Sequence, residues 1–335
     1  MSDAGMSHDE LVEQLALLAQ DSLHLWDLPE GSTTMLINLS ENATYRVDKP
    51  GFDQPDILRV HREGYHSENA IGCELAWMKA LREDAGVITP TGIAGKDGKL
   101  IQSHEIEGLR APRHLVLFEF IEGIEPDENQ DLILPFENLG EVSAKLHLHV
   151  LNWQLPDNFE RLTWDFEHML GGTPNWGDWR EAPAMDPDTK AVLERLAATI
   201  DRRLKAFGKG RERYGLVHAD IRLANLLIVD DSTRVIDFDD CGFGWFLYDV
   251  ATALSFIEDH PKVLDLVDAW VRGYKRIRDL PAEDEAEIPT FIMLRRMVLL
   301  AWIGSHGDTD LAKEQGPEFT KVSADLAETY LRKFG

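Results

Sequence analysis

Cysteine, basic residues and long apolar runs are all scarce in this sequence. Cys73 and Cys241 are the two cysteines among 335 residues, and they lie far apart without Cys-x-x-Cys spacing, so we predict neither a disulfide framework nor a zinc knuckle. The segment from Met1 to Val12 lacks the basic start and the apolar stretch of a secretory signal, and no apolar run approaches the roughly 18 residues of a membrane span. We therefore expect a cytoplasmic protein with no membrane partner.

Positive charge is scarce because 34 Lys and Arg residues oppose 60 Asp and Glu residues, which gives a formal net charge of -26. A surface of negative potential disfavours nucleic acid and anionic membranes as partners. It attracts cationic ligands such as amines, although a surplus of carboxylates that maintains solubility explains the same charge. Composition therefore leaves both the substrate and the oligomeric state undetermined.

The first third of the chain predicts a small antiparallel sheet with one main helix. Short runs rich in Thr, Val, Ile and Leu, separated by Asn, Ser, Gly and Pro, are typical of strands. From Ser67, a predicted N-cap, to about Asp84 the apolar residues recur at the spacing of an amphipathic helix. The predicted strands are Thr33 to Leu39, Thr44 to Asp48, Asp56 to His61, Gly98 to Ile106 and His114 to Phe120.

Beyond residue 121 the pattern becomes helical, except for one predicted hairpin. Its strands are Leu226 to Val229 and Arg234 to Phe238, joined by the turn-like residues 230–233. The fold class is thus α+β, with an N-terminal lobe at 1–121 that includes a helical extension at 1–30, and a mostly helical lobe at 122–335. The predicted helices are 136–150, 187–207, 248–258, 262–278, 287–303 and 308–333, and 171–187 is predicted to be an inserted loop.

The strongest motif is Leu216-Val217-His218-Ala219-Asp220-Ile221-Arg222-Leu223-Ala224-Asn225, followed by Val235-Ile236-Asp237-Phe238. His-x-Asp, then Asn five residues after the Asp, then Ile-Asp-Phe on the next strand, resembles the aminoglycoside phosphotransferase and choline kinase family, whose members are relatives of protein kinases. This resemblance implies a bilobal protein-kinase-like fold that uses ATP and Mg²⁺. The segments at 58–67 and 74–77 resemble the branch that contains stress-response kinase A and type II homoserine kinases.

The resemblance assigns roles that fit the chemistry of phosphoryl transfer, which depends on positioning and electrostatic stabilisation. It implies that Asp220 accepts the proton of the acceptor hydroxyl, and that Asn225 and Asp237 hold Mg²⁺, which prefers oxygen ligands. Arg222 follows the base by two residues and is a candidate to stabilise the transferring phosphoryl group, with an exposed surface arginine as the alternative. We expect His218 to be structural and Asp249 to brace the loop.

The N-terminal lobe contains a second set of candidate residues. Glu74 lies on the apolar face of the predicted helix, where a carboxylate needs a cation, and the resemblance pairs it with Arg59 in the position of the usual Lys. The loop at 39–44 lacks Gly-x-Gly-x-x-Gly, so Ser40 and Asn42 are candidates to replace backbone phosphate donors. The resemblance further implies that backbone groups of Glu119, Phe120 and Ile121 bind the adenine edge.

The acceptor is predicted to be a hydroxyl of a small molecule, and a cationic amino alcohol, a hydroxy amino acid or an aminoglycoside suits the acidic composition. A helix begins near Tyr248, only twelve residues after Asp237, which leaves little room for the activation segment that protein kinases use to dock peptides. The aromatic and acidic residues of 162–167 and 176–179 are candidates for the acceptor wall or for packing of the insertion. A protein Ser/Thr kinase and a nucleotide-binding pseudokinase are the alternatives.

Overall fold

The computed structural model describes residues 6–39, 42–230, 232–307 and 310–335. Its internal contacts separate an N-terminal unit, formed by Met1–Glu83, Ile88–Glu122 and Leu155–Glu160, from a C-terminal unit, formed by Asp84–Val87, Gly123–Gln154 and Arg161–Gly335. The α+β class and the protein-kinase-like fold predicted from the sequence are confirmed. The division into an ATP-binding lobe and a catalytic lobe at residue 121 stays a prediction about function.

The N-terminal unit is an antiparallel sheet with two helices. Its strands follow the order β1-β2-β3-β6-β4, and β5 also pairs with β6. The first three strands and the main helix lie within a residue or two of their predicted bounds, whereas the strand predicted at Gly98 to Ile106 is shorter. The elements are α1 (His8–Ser22), β1 (Thr33–Leu39), β2 (Ala43–Asp48), β3 (Asp56–Val60), α2 (Glu68–Ala85), β4 (Gly92–Ile93), β5 (Ile101–His104) and β6 (Arg113–Glu119).

Alternation of apolar and polar residues explains the core of this unit. Tyr45 and Val47 on β2 and Leu58 and Val60 on β3 are buried together, because side chains two apart share one face of a strand. Helix α2 buries an apolar stripe that includes Ile71, Leu75 and Met78, and its predicted cap is present: the Ala70 N–H donates to Ser67 Oγ at 3.0 Å. The sheet therefore gives β3 a fixed position, which matters for Arg59.

The C-terminal unit is mostly helical, as predicted. The long helix at 187–207 has the predicted bounds because Asp186 accepts from the Thr189 N–H as its N-cap and Pro187 is the first helical residue. The helices are α3 (Ile133–Asn152), α4 (Phe166–Met169), α5 (Pro187–Phe207), α6 (Leu247–Ala253), α7 (Val263–Ile277), α8 (Ala282–Glu285), α9 (Ile288–Ser305) and α10 (Asp310–Phe334). The strands are β7 (Leu162–Trp164), β8 (Tyr214–Val217), β9 (Leu226–Val229), β10 (Ser232–Val235) and β11 (Gly242–Trp245).

The hairpin is present but shifted relative to the prediction. Strand β10 begins at Ser232, which pairs with Val229, and ends at Val235, which pairs with Leu226. Ser232 and Thr233 were predicted in the turn, and 236–238 were predicted in the strand; both assignments were wrong. The shift places Asp237 just after the strand, at the left-handed φ of 61°.

The three-stranded sheet β7-β11-β8 was not predicted. Strand β11 runs parallel to β7 and antiparallel to β8. These strands are three or four residues long and contain Gly215, Gly242 and Gly244, so their sequences lack the β-branched runs that identify strands. The sheet matters because the predicted catalytic loop begins directly after β8.

Within the described residues, the segment Ala282–Ser305 is long and apolar enough to cross a membrane by length and composition, which we did not expect. However, 72% of its apolar window is buried inside the fold, as in the core helix of a globular domain. Arg295 and Arg296 lie in the middle of this helix and are also buried. Two buried arginines in an apolar helix require partners.

Candidate active site

The predicted catalytic loop, residues 218–225, is fixed by hydrogen bonds to one buried carboxylate. Asp249 at the start of α6 accepts from the His218 N–H at 3.2 Å and from the Ala219 N–H at 2.8 Å. Ala219 has the left-handed φ of 68°, which is rare for a residue with a Cβ and typical of functional loops. The brace holds the backbone immediately before Asp220.

Two buried histidines support the same loop. The His218 Nε2–H donates to the Ile236 carbonyl at 3.1 Å, so its Nδ1 is the acceptor for the Asp220 N–H at 3.3 Å. His147 donates from Nε2 to Asp249 at 2.9 Å, and burial lowers the pKa of His147 against the opposing effect of that carboxylate. These contacts agree with the structural interpretation of His218 and with the bracing function of Asp249.

Removal of the brace is expected to destabilise the protein. Asp249→Ala deletes the acceptor for three buried donors, and leaving even one such group unsatisfied costs about 1–3 kcal/mol. We expect the free energy of unfolding to fall by about 3 kcal/mol or more. Urea denaturation measures the change, and Asp188→Asn on the exposed first turn of α5 is a control that should differ little from wild type.

Asp220 lies at the centre of the candidate site with donors on both carboxylate oxygens. Arg295 donates from Nη2 to Oδ1 at 2.5 Å, and Asn225 donates from Nδ2 to Oδ2 at 2.8 Å. Arg222 donates from Nε to Oδ2 at 3.4 Å, and its side chain is 31% exposed. Burial raises the pKa of Asp220, but the charges of Arg295 and Arg222 outweigh burial and lower it, so the carboxylate is ionised at neutral pH.

The hairpin brings the backbones of the predicted metal ligands, Asn225 and Asp237, close to each other. The Ile236 N–H donates to the Asn225 carbonyl at 3.0 Å, which places Asp237 one residue beyond the pairing partner of Asn225. Because the Asn225 amide nitrogen donates to Asp220, its Oδ1 is oriented away from that contact. An amide oxygen and an exposed carboxylate are donors that suit Mg²⁺, so these residues fit the ion.

In the N-terminal unit, the structure brings Arg59 and Glu74 together. Arg59 donates from Nη2 to both carboxylate oxygens of Glu74, at 2.7 and 2.8 Å, and the two side chains are 8% and 0% exposed. Asn42 is buried, and its Oδ1 accepts from the Arg62 N–H at 3.0 Å. Ser40 lies outside the described residues. The phosphate contacts predicted for Arg59, Ser40 and Asn42 stay predictions.

The predicted adenine-binding segment begins where β6 ends. Glu119 is the last residue of β6, and its N–H donates to the Thr91 carbonyl at 2.9 Å, so this amide is used within the sheet. Phe120 is 37% exposed and Ile121 is partly buried, so the backbone emerges from the sheet at this point. Adenine binding by Glu119, Phe120 and Ile121 stays a prediction.

The tryptophans of β7 and of the predicted insertion pack inside the C-terminal unit. Trp164, Trp176 and Trp179 are 0%, 8% and 1% exposed, and the Trp164 Nε1–H donates to the Asp240 carbonyl at 2.7 Å. Asp178 accepts from the Arg180 N–H at 3.0 Å at the start of a short 3-10 turn. The contacts thus favour the packing interpretation over an acceptor wall.

A pocket lies beside the predicted catalytic loop. Its volume is about 570 Å³, and Arg222 and Ser255 line it together with Glu125, Asp127 and Glu128. Hydrogen bonds from Asn129 lower the pKa of the exposed Asp127, so that carboxylate is ionised at neutral pH. Arg222 connects the pocket to Asp220, because its Nε reaches the Asp220 carboxylate.

Sequence reasoning missed Arg295, which makes the shortest contact described for Asp220. It lies 75 residues further along the chain, in a helix whose role had not been assigned. The signal was present in the apolar sequence of α9, because an arginine inside a buried helical stripe requires an anion nearby. The pattern did not indicate which anion.

Comparisons with known proteins agree with the motif. The family model described as "Phosphotransferase enzyme family" matches residues 36–286. A solved structure of a microcompartment-associated aminopropanol kinase is 43% identical, with a TM-score of 0.87, and the match covers 95% of this chain and 98% of the other. Amicoumacin kinase hAmiN, solved with AMP-PNP, Ca²⁺ and Ami, is 20% identical with a TM-score of 0.73 over 96% of this chain and 94% of that one.

A curated relative of this chain is also a kinase. Amicoumacin kinase of Bacillus subtilis (strain 168) is 23% identical over 289 residues, which is 83% of this chain and 82% of the relative. The residues matched by the family model, 36–286, contain every site residue that was predicted from the sequence. Arg295 lies beyond that matched segment.

Proposed function

The chain belongs to the phosphotransferase enzyme family and is a kinase, and from this premise we propose that it transfers the γ-phosphate of Mg-ATP to the hydroxyl of a small amino alcohol. The observation that carries the proposal is the 43% identity, over 95% of the chain, to an aminopropanol kinase. Asp220 is the proposed base. The proposed setting is the cytoplasm, with residues 1–121 as the ATP-binding lobe and 122–335 as the catalytic and acceptor-binding lobe.

In the proposed reaction, the acceptor hydroxyl oxygen forms a bond to the γ-phosphorus while the bond from that phosphorus to the β–γ bridging oxygen breaks. ADP leaves, and the hydroxyl proton passes to Asp220. A carboxylate with a lowered pKa is a weak base, so its main work is to orient the hydroxyl and to accept the proton late, as a loose phosphoryl-transfer transition state requires. The proposed role of Arg222, whose Nε donates to Asp220 Oδ2 at 3.4 Å, is to stabilise charge on the transferring group.

Each remaining site residue has a binding function in the proposal. Asn225 and Asp237 hold Mg²⁺, which, when bound, neutralises charge that develops on the phosphate oxygens. Arg59, fixed by Glu74, contacts the nucleotide phosphates with a planar fork in place of the usual lysine point charge. Ser40 and Asn42 are proposed phosphate contacts, and backbone groups of 119–121 are proposed adenine contacts.

The acidic pocket beside Asp220 supports an amine-bearing acceptor. Glu125, Asp127 and Glu128 line a volume of about 570 Å³, which exceeds what a small amino alcohol needs. An ammonium group near these carboxylates is attracted by their negative charge. The net charge of the protein, -26, also favours the approach of cations. We propose that this pocket binds the acceptor.

The proposal predicts that the amine of the acceptor governs turnover. We expect 1-amino-2-propanol to stimulate ADP release, and 1,2-propanediol, in which a hydroxyl replaces the amine, to have a kcat/KM lower by at least about 10²-fold. Glu125→Gln combined with Glu128→Gln should raise KM for the amino alcohol without an equal loss of kcat. Glu318→Gln combined with Asp325→Asn, at two exposed positions on α10, is the charge-matched control.

Other outcomes would replace this proposal. Labelling of a protein substrate without turnover of any small acceptor would favour the protein Ser/Thr kinase. Stabilisation by Mg-ATP without ADP formation from any acceptor would favour the pseudokinase. Equal activity toward the amine and the diol would mean that the carboxylates of this pocket do not bind the acceptor.

A further inference from the structure

Arg295 is the most deeply buried cation in contact with the proposed base. Its side chain is 1% exposed, and its Nη2 donates to Asp220 Oδ1 at 2.5 Å. The Asp220 side chain is 13% exposed, so the contact is largely shielded from water. At this depth the attraction between the two charges is far stronger than at a surface.

The other nitrogens of Arg295 fix the direction of its side chain. Nε donates to Ser255 Oγ at 2.8 Å, and Nη1 donates to the Tyr248 hydroxyl at 3.3 Å and to the Ala219 carbonyl at 3.5 Å. Burial raises the pKa of Tyr248 to about 12, so its hydroxyl is neutral at physiological pH and acts as an acceptor. Hydrogen bonds to Ser255, Tyr248 and Ala219 thus fix the position of the guanidinium that donates to Asp220.

Two aromatic rings lie close to the guanidinium. Arg295 Cζ lies 5.1 Å from the centre of the Trp176 ring and 5.9 Å from that of Tyr248, within the range of cation–π contacts. The Trp176 carbonyl accepts from Ser305 Oγ at 2.6 Å, which ties the insertion to α9. The insertion therefore covers Arg295.

The pattern of donors indicates which oxygen of Asp220 takes the proton. A carboxylate offers about four lone-pair sites. Among the described contacts, Asn225 and Arg222 both donate to Oδ2, whereas Arg295 donates to Oδ1. Oδ1 therefore has a lone-pair site left for the acceptor hydroxyl, and Arg295 sets the orientation of that site.

We infer that Arg295 is a positioning residue for phosphoryl transfer: it locks the Asp220 carboxylate so that Oδ1 faces the acceptor hydroxyl. The inference rests on the proposed role of Asp220. It extends the site to a helix beyond the segment that the family model matches, residues 36–286. It also assigns the insertion a function, because Trp176 holds the arginine.

Arg296 provides a matched control within the same helix. It is also buried, at 2% side-chain exposure, and donates from Nη1 to Glu258 at 2.7 Å and from Nε to Ser323 Oγ at 2.7 Å. Its partners lie on α10 and in the segment after α6, and none of its described hydrogen bonds is to Asp220. Loss of a buried arginine can thus be separated from loss of this particular contact.

The test is a double-mutant cycle in kcat, measured with radiolabelled ATP and the amino alcohol. We expect Arg295→Met to lower kcat by about 10–100-fold, the range seen when residues that orient a functional group are lost, with KM for ATP unchanged. Arg295→Lys should recover part of kcat, because it keeps the charge but cannot reach both Ser255 and Asp220. Arg296→Lys should retain kcat.

Arg295 acts through Asp220 in this scheme, so Arg295→Met should cause no further loss in an Asp220→Asn background. An equal loss in both backgrounds, or wild-type kcat in a folded Arg295→Met protein, would overturn the inference. If Arg295→Met does not fold, Arg295→Lys provides the test. A folded Arg295→Lys protein with wild-type kcat overturns the inference, and a loss of kcat of about tenfold supports it. Failure of the proposed function is distinct, since Asp220→Asn alone would then retain activity.

Discussion

Asp220→Asn is expected to lower kcat by roughly 10²–10⁴-fold, the contribution typical of a positioned acid or base. The asparagine keeps the size of the side chain and still accepts from Arg295, but it cannot take the proton of the acceptor hydroxyl. Single-turnover assays with radiolabelled ATP measure the residual rate. The stabilisation of the protein by Mg-ATP should persist, because Asp220 is proposed to act on the acceptor and not on the nucleotide.

Two outcomes would contradict this expectation. An unchanged kcat in Asp220→Asn would remove Asp220 from the reaction and, with it, the proposed mechanism. A loss of both kcat and nucleotide stabilisation together with a fall in melting temperature would show that the substitution disturbs the loop that Asp249 braces. Asp249→Ala, which removes that brace while leaving Asp220 in place, shows how a disturbed loop behaves.

Glu74→Leu is expected to destabilise the protein by about 3–5 kcal/mol, because it leaves the buried Arg59 guanidinium without its carboxylate. The Arg59–Glu74 pair is 8% and 0% exposed, so water does not replace the lost contact. Urea denaturation followed by circular dichroism measures the change. Glu83→Leu is the control on the same helix, since the Lys79–Glu83 pair is more than 60% exposed and should contribute within about 0.5 kcal/mol.

The double variant Arg59→Met/Glu74→Leu separates stability from nucleotide binding. Replacing both charges by apolar side chains is often neutral, so we expect the double variant to recover most of the stability that Glu74→Leu loses. KM for ATP should remain raised, because the proposed phosphate contact is absent. Recovery of both quantities would mean that the pair is structural and that Arg59 does not bind phosphate.

Much of the fold was readable from local patterns. Strand β2 alternates buried and less buried residues, and α5 has its cap and first proline in sequence, so both could be placed within a residue or two. The strands β7, β8 and β11 could not, because three or four residues are too few to show a strand pattern, and β8 and β11 also contain glycine. The first strand of the hairpin has its predicted bounds, but the second begins two residues and ends three residues earlier than predicted, because Ser232 and Thr233 fit a strand as well as a turn.

Part of the candidate site could likewise be predicted from local sequence patterns. The motif at 218–225 with Asp237 identified the proposed base and metal ligands, because side chains that share one loop and hairpin have a fixed spacing along the chain. Arg59 and Glu74 could be paired because a carboxylate on a buried helix face requires a cation. In each case the physical requirement is local, and the residues that meet it follow from the secondary structure.

The sequence by itself thus determined the family, the two-part α+β fold and the residues of the catalytic motif. Only the tertiary structure decided that Arg295 contacts Asp220, that His147 holds Asp249, and that Trp164, Trp176 and Trp179 are packed inside the C-terminal unit. The contacts of Arg295 with Asp220 and of His147 with Asp249 join residues 75 and 102 positions apart. Which of these residues meet depends on how the helices pack and on which buried charges come into contact. Neither produces a regular spacing along the sequence.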